Sequence, residues 1–521
     1  MRLARPAPAV RPRSARAART VRVRAARVAA VSLLALSLAA CGSQLDPGTV
    51  SRANGTSLVG GAEGQGGAVG GVADGGAVAD PSAAGADAGA GGAAGDGAAA
   101  GGGGASGGSG AAGGSAGGAA PASSSGGKGA TSATGGVKAG SCAGFANQKG
   151  ITDKTITLAN VADISGPVPG IFEATQQAAR AYVEYFNATS SICGRKLQLT
   201  TLDSRADAGA DQQAYVKACD SAFAAVGSMS AFDSGGAATA NNCGLPDLRA
   251  VSVNPERQAC KTCFAAYAIR TNLIPTSASG FLAKKFPQAV KNAAVLYINA
   301  GAAVANARSQ AAGYEKGAGW KVTYLQGIDV AEFNFAPYVQ QMKAKGVRAV
   351  AYQGPYQNSV KLQQAMQQQG FKPDFFLQDP TIYDQRYLQQ AGSLAEGSYI
   401  YAANDLFENK NNKEIQLYLS YLQQVKPGAI PNYYGLYAWS ATRLFVEKAL
   451  ALGGKLNRAS LVQAVRGTSK WTGNGAHTAM NLGTSNTPSC LKVAQYKGGR
   501  WQQVSPGDYM CTGVVDTGIG R

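Results

Sequence analysis

From about residue 150 onward, strand-like runs alternate with helical patterns, and this alternation limits the possible folds more than any other feature of the sequence. The first predicted strand, Ile156–Ala162, precedes a helical pattern over Phe172–Asn187 that places Ala178, Tyr182 and Phe186 on one face. Strands separated by helices of about ten to fifteen residues indicate βαβ units in parallel sheets. Further strands are predicted at KLQLTTLD, AFAAVG, RAVSV, AAVLYIN, WKVTYLQG, VRAVAYQG, DFFLQD and GSYIYA, and further helices at AGADQQAYVKACDSA, 303–316, 335–345, 359–369, 433–452 and 459–466.

The length of this region predicts two lobes. It spans about 380 residues, 141–521, whereas single cores stop growing at about 250–300 residues. We predict an α/β fold with two Rossmann-like lobes, approximately 150–270 and 275–400, each completed by part of the C-terminal region. Chain crossings are expected near 267–274, 401–404 and Pro431, and a β-hairpin at Gly498 and Gly499. Because ligands bind at the carboxyl ends of parallel strands, a hinged cleft between the lobes is the expected site.

The N-terminal segment has the pattern of an export signal. Nine arginines and no acid occur within residues 1–27, and the apolar run 28–40 is shorter than the roughly twenty residues of a membrane-spanning helix. The string Leu38-Ala39-Ala40-Cys41 resembles the lipobox of bacterial lipoproteins, which implies removal of residues 1–40 and acylation of Cys41. An ordinary signal followed by a chance cysteine is the alternative.

A tract dominated by Gly, Ala and Ser follows, over residues 41–140. It contains no aromatic residue and, before Lys128, no lysine. Such a composition buries too little apolar surface to offset its ordering entropy, so we predict a flexible tether.

The net charge of +18 does not indicate nucleic-acid binding. Nine of these charges are the arginines of the export signal, so its removal leaves a charge near +9 (18 − 9). The remaining basic residues are scattered and form no basic run interleaved with aromatic residues, so no nucleic-acid partner is predicted.

Eight cysteines follow Cys41, and an even number in an exported chain predicts disulfides. The CxxC pair has no second pair and no neighbouring histidine, so neither a metal site nor a cofactor is predicted. The candidate disulfides are Cys193 with Cys219, Cys490 with Cys511 and, locally, Cys260 with Cys263; the sequence leaves the pairing among Cys142, Cys243, Cys260 and Cys263 open.

Several stretches, in this order, resemble the type I periplasmic binding proteins, and in particular the branched-chain amino-acid receptors of ABC transporters. They are ITLANVADISGPVPGIFEATQQAARAYVEYFNA, CGRKLQLTTLDSRAD, AFAAVGSMSAF and VRAVAYQGPYQNSVKLQQAMQQQGFKPDFFLQD. The resemblance covers nearly all of residues 150–504. It implies a monomeric extracytoplasmic protein that closes its lobes around a small solute, an amino acid or a related compound, and delivers it to ABC permease subunits. With the lipid anchor, the expected location is the outer face of the cell membrane. A ligand-sensing domain acting with a separate signalling partner is the alternative.

The resemblance also implies which residues bind the solute. Amides and hydroxyls after the third and fourth strands would hold a carboxylate, and Asp379 would pair with an ammonium. The implied ligand-binding residues are Ser230, Ala231, Phe232, Val253, Asn254, Tyr356, Asp379, Ile171 and Phe172. A capping role is the alternative for Asp379, and packing for Tyr356. The segments NAGAAVANA and SMSAFDSG depart from the receptors' pattern and leave room for a larger or less polar solute.

The sequence does not predict an enzyme. Residues 141–521 contain no GxSxG, HExxH, P-loop or Rossmann fingerprint. The only histidine, His477, lies in a Gly-rich segment, where we expect it to be solvated.

Overall fold

The computed structural model describes residues 137–520. The predicted signal segment 1–40, the lipidation site Cys41 and the predicted tether up to residue 136 lie outside the described residues.

The first part of the chain builds a five-stranded parallel sheet in the order β2-β1-β3-β4-β5. Its elements are β1 (Thr155–Ala162), α1 (Glu173–Thr189), β2 (Lys196–Asp203), α2 (Ala208–Ser221), β3 (Ala224–Val226), α3 (Ala237–Asn242), β4 (Asp247–Ser252), α4 (Pro255–Ala259) and β5 (Cys263–Ala268). Strand β5 was not predicted, because its six residues, all buried, run into the segment interpreted as a crossing.

The second part builds an eight-stranded sheet in the order β13-β12-β11-β10-β9-β7-β8, with β14 paired to β12. Strands β7 to β11 run parallel, and the later strands join antiparallel. The elements are β6 (Leu273–Pro275), α5 (Ser277–Lys285), β7 (Ala293–Ile298), α6 (Ala303–Ala318), β8 (Val322–Ile328), α7 (Ala336–Ala344), β9 (Ala349–Gln353), α8 (Tyr356–Gln368), β10 (Phe375–Gln378), a 3-10 helix (Pro380–Ile382), α9 (Gln385–Ala391), a second 3-10 turn (Gly392–Ala395) and β11 (Tyr399–Ala402).

The chain then returns to the first lobe before it completes the second. The elements are α10 (Lys413–Val425), α11 (Tyr433–Leu452), a 3-10 turn (Gly453–Lys455), α12 (Arg458–Arg466), a 3-10 turn (Leu482–Thr484), β12 (Cys490–Lys497), β13 (Arg500–Gln503), β14 (Met510–Cys511) and β15 (Val514–Asp516). Both α10 and α11 pack on α1, so the predicted crossing at Pro431 is wrong. The return to the second sheet lies instead between residues 484 and 490, and β15 pairs with β6 at the first crossing.

Helix α11 forms the centre of the first lobe. It is buried along most of its length and packs against α1 and β4. Its residue Trp439 meets the ring of Tyr182 edge to face, with ring centroids 4.7 Å apart. The Asn432 side chain accepts a hydrogen bond from the Gly435 amide and thereby caps the helix N-terminus. Within residues 137–520, no helix combines the length and the hydropathy that crossing a membrane requires.

The eight described cysteines form four disulfides, and one of the predicted pairs is wrong. Cys490 pairs with Cys511, as predicted, where β12 and β14 lie in register, and Cys260 bridges locally to Cys263. Cys193 and Cys219 do not pair with each other. Cys193 pairs with Cys142, because the turn before β2 faces the segment before β1. Cys219 pairs with Cys243, because the end of α2 faces the end of α3.

Candidate functional site

A cavity of about 210 Å³, counted as the space open to the centres of water molecules, lies between the two lobes. Residues at or just beyond the carboxyl ends of both parallel sheets line it. Val253, Ile269, Ile298 and Val330 follow or end β4, β5, β7 and β8. This is where ligands bind in open α/β sheets.

Glycine is required at the end of β9. Gly354 has a φ of +151°, and a Cβ there would lie 2.4 Å from the side chain of Ile298. The close approach lets the Gly354 amide donate a hydrogen bond to Asp379 Oδ2 at 2.9 Å. The ends of β9 and β10 are thus held together at the cavity wall.

Six of the nine residues predicted to bind a solute line this cavity. They are Ile171, Phe172, Ala231, Phe232, Val253 and Asp379. Ser230 and Asn254 lie behind the wall, where Ser230 is fully buried and the Asn254 side chain donates to Asp233 Oδ1 at 2.7 Å. Tyr356 lines a smaller neighbouring pocket instead, beside Arg386.

The backbone amides predicted to hold a carboxylate are already engaged within the protein. The Ala231 amide donates to Asp163 Oδ2 at 2.9 Å, and the Phe232 amide donates to Ser230 Oγ at 3.0 Å. The Val253 amide donates to Asp233 Oδ2 at 3.3 Å. None of the three is left as a free donor for a ligand.

Asp163, which sequence reasoning missed, connects three loops. It follows β1 directly and is fully buried. Its Oδ1 accepts hydrogen bonds from Ser204 Oγ at 2.6 Å and from the Ala206 amide at 3.0 Å, while Oδ2 accepts from Ala231. Its place in the loop DISGPVPG after a predicted strand was the available signal, but the partners are about 40 and 68 residues away.

Asp379 caps a 3-10 helix, which is the alternative role considered from the sequence, and it also lines the cavity. Its Oδ1 accepts from the Thr381 amide at 2.7 Å, which caps the 3-10 helix 380–382. Burial raises the pKa of Asp379 to about 6, against the opposing effect of the hydrogen bonds from Thr381 and Gly354. Its ligand contact stays a prediction.

Tyrosine side chains form much of the remaining wall, and the sequence reasoning missed them. Burial, followed by the charge of Asp379, raises the pKa of Tyr314 and of Tyr434, so both remain hydroxyl donors at neutral pH. The Tyr401 hydroxyl accepts a hydrogen bond from Gln310 Nε2 at 2.9 Å. Burial raises the pKa of Tyr267 to about 12. These residues come from both lobes, and no periodic pattern identifies them.

The described side chains that line the cavity include acidic groups but no basic ones. Among the described residues that line it there are two aspartates, Asp163 and Asp379, and no lysine or arginine. The nearby Arg386 pairs with Asp384 at 2.7 Å outside the cavity. No group of three or more potential metal-binding side chains occurs in the described part of the chain.

His477 is buried rather than solvated, which corrects the expectation from the sequence. It is 2% exposed, its Nδ1 donates to the Thr478 carbonyl at 2.8 Å, and its Nε2 lies 2.8 Å from Ser440 Oγ. The segment 472–478 folds against α11, which the glycine content did not indicate. His477 is not among the residues lining the cavity.

Comparison with known proteins identifies the family. A family model described as "Periplasmic binding protein" matches residues 155–500, which include the parallel strands of both sheets and the residues that line the cavity. The chain belongs to this family. Its members are extracytoplasmic solute-binding proteins, and the binding-protein fold predicted from the sequence is confirmed. No curated protein sequence matches the chain.

Solved structures of solute-binding proteins share the fold of this periplasmic binding protein at low sequence identity. The LivJ substrate-binding protein of Streptococcus pneumoniae, in complex with isoleucine, is 17% identical and has a TM-score of 0.58, over 68% of this chain and 100% of LivJ. A fatty acid ABC transporter substrate-binding protein from Thermomonospora curvata is 15% identical and has a TM-score of 0.62, over 71% and 95%. An R. palustris protein in complex with 4-hydroxybenzoate is 15% identical and has a TM-score of 0.58, over 70% and 97%. At these identities the likeness shows the fold.

Proposed function

We propose that this binding protein is anchored to the outer face of the cell membrane through an acylated Cys41, captures a small organic solute between its lobes, and delivers it to the permease of an ABC transporter. The observation that supports this proposal is the cavity at the carboxyl ends of both sheets, with walls drawn from both lobes. A pocket of this kind, mostly apolar with a few convergent polar groups, is the usual form of a small-molecule site.

Hydrogen bonds join the two lobes beside the cavity and would stabilise a closed form of the cleft. The Ala302 amide donates to the Ala231 carbonyl at 3.2 Å, and the Thr381 and Tyr434 hydroxyls lie 3.1 Å apart. Arg386 Nη1 donates to the Gly170 carbonyl at 3.4 Å. A solute that binds the closed form more tightly than an open form shifts the population towards closure, and only that difference in affinity does so. Closure would then present a permease with a surface that the open form lacks.

Blocking the cavity should abolish solute binding. Ala303 lines the cavity at the start of α6, so the ring of Ala303→Phe would occupy space that the solute needs. Amino acids, amides, alcohols, amines and small aromatic acids are screened by thermal shift, and the best ligand is measured by calorimetry. We expect at least a hundredfold loss of affinity in Ala303→Phe, about 2.7 kcal/mol.

Ala312→Phe is the matched control, since Ala312 lies on the same helix and does not line the cavity. It should bind the ligand as the unmodified protein does. Scattering measurements should also show that the unmodified protein contracts when saturated. Unchanged affinity in Ala303→Phe, or no ligand in any class, would contradict solute capture in this cleft.

Replacing Cys41 by serine should release the protein from membranes or stall its processing. The reason is that two or more acyl chains on one residue give stable attachment, and serine offers no sulfur for acylation. The measurement is the distribution of full-length protein between the membrane and soluble fractions of the expressing cell, with Ser43→Ala as the control. Membrane association of Cys41→Ser at the control level would contradict the lipid anchor.

A further inference from the structure

The carboxylate of Asp163 accepts one of the backbone hydrogen bonds that a ligand carboxylate would need. In the predicted arrangement, the amides after β3 and β4 hold the acid group of an amino acid. In the structure, Asp163 Oδ2 accepts a hydrogen bond from the Ala231 amide at 2.9 Å. The amides of Phe232 and Val253 donate to the side chains of Ser230 and Asp233, respectively. A ligand carboxylate that entered the cavity beside Asp163 would find these three backbone amides already engaged. It would also lie next to a group of like charge.

In the described part of the chain, the opposite wall offers no cation to pair with an anion. The described residues lining the cavity include no lysine or arginine, and Asp379 supplies a second carboxyl group. An anionic ligand would therefore be desolvated between two acids without a paired cation, which is unfavourable.

The cavity instead offers hydrogen-bond acceptors. Asn306 and Gln353 line it, and their side-chain oxygens, Oδ1 and Oε1, are buried without a hydrogen-bond partner. Buried polar atoms without partners are rare in native structures, and a ligand N–H or O–H group would satisfy them. Asp379, which also lines the cavity, adds a further acceptor.

We infer that the solute has an apolar body, carries N–H or O–H donors, and has no carboxylate: an amine or an alcohol rather than an amino acid. This inference rests on the proposed function and names the class of solute for the same cavity. Apolar residues from both lobes, including Ile171, Phe172 and Ile274, would pack around the body, and the Asn306, Gln353 and Asp379 oxygens would accept from the head group.

Two series of compounds that share a side chain test the class directly. They are leucine, isoamylamine and isoamyl alcohol, and tyrosine, tyramine and tyrosol. We expect the amine or the alcohol to bind at least tenfold more tightly than the amino acid in at least one series, measured by calorimetry. Equal or tighter binding of the amino acid in both series would overturn the inference and leave solute capture intact.

The variant Asp379→Asn distinguishes the two sources of the donor group. An amine should lose at least tenfold in affinity, because its ammonium loses a carboxylate partner. An alcohol should lose less affinity than the amine, because the neutral amide oxygen still accepts a hydrogen bond, although the amide nitrogen no longer accepts from the Gly354 or the Thr381 amide. Either result supports a solute without a carboxylate.

An anion-rescue experiment tests the role of Asp163 without knowledge of the solute. Asp163→Ala frees the Ala231 and Ala206 amides and the Ser204 hydroxyl, so added acetate should raise its melting temperature more than chloride at the same concentration. The control Asp207→Ala removes an exposed cap of α2 and should show no acetate-specific gain.

The rescue decides the inference even when no compound in the two series binds. No acetate-specific stabilisation of a folded Asp163→Ala protein would overturn the inference. If that variant does not fold, Asp163→Ser, which retains a small polar side chain, is tested in the same way.

Discussion

Replacing Arg443 by alanine is expected to lower the free energy of unfolding by about 3–5 kcal/mol. Arg443 lies on α11 and is fully buried, as is its partner Glu414 on α10. Its Nε and Nη2 donate to the two carboxylate oxygens of Glu414 at 2.8 Å and 2.6 Å. Removing the guanidinium leaves a buried carboxylate without its cation, and the unpaired charge is the main cost. Urea unfolding followed by tryptophan fluorescence measures the loss.

An exposed ion pair between the same lobe's helices is the control. Lys426 Nζ lies 2.6 Å from Glu173 Oε1, but both side chains are about half exposed. Lys426→Ala should therefore cost less than about 1 kcal/mol. Adding Glu414→Gln to Arg443→Ala should recover part of the lost stability, because the amide carries no charge. A loss in Arg443→Ala no larger than in Lys426→Ala would contradict the buried-charge explanation.

The protein should lose stability through His477 as the pH falls from about 6.5 to about 4. Burial lowers the pKa of His477 from 6.5 to about 4, while the hydrogen bond to the Thr478 carbonyl opposes this shift. Below pH 6.5 the unfolded chain takes up a proton that the folded chain does not, so unfolding is favoured as the pH falls. At 1.36 kcal/mol per unit of pH, the gap between 6.5 and 4 corresponds to about 3 kcal/mol.

The measurement is the free energy of unfolding at pH 7 and pH 4 in the unmodified protein and in His477→Gln. Asp379 and Asp211, whose pKa values burial raises to about 6, change stability in the opposite direction, so the difference between the two proteins isolates the histidine. Ser440→Ala removes the hydrogen bond to Nε2 and should retain the pH dependence. An identical pH dependence in His477→Gln would contradict the role assigned to His477.

The alternation of strands and helices was sufficient to predict the fold class, because both patterns are local. Helix α11 has the bounds predicted from the sequence, Tyr433–Leu452. Asp379 and Val253, which the family resemblance implied as site residues, line the cavity. Strand β5 was missed because six residues of small and aromatic side chains, CFAAYA, have no periodicity that separates a buried strand from a connection.

Several hydrogen bonds around the site and two of the disulfides could not be predicted, because they join residues that are far apart in the sequence. Asp163 meets Ala231 across 68 residues, and Cys219 pairs with Cys243 rather than with Cys193. His477 was misjudged for a related reason: its glycine-rich neighbours predict a turn but do not reveal that the turn packs against α11. Residues at strand ends could be proposed from the sequence, but which of their amides are free could not.

The carboxylate of Asp163 has a consequence for how binding is driven. By joining the loops after β1, β2 and β3, it preorganises one half of the cleft before any solute arrives. Conformational entropy that a flexible loop would lose on association is therefore already spent in folding. Solute uptake should then be dominated by burial of apolar surface, whose signature in calorimetry is a negative heat-capacity change.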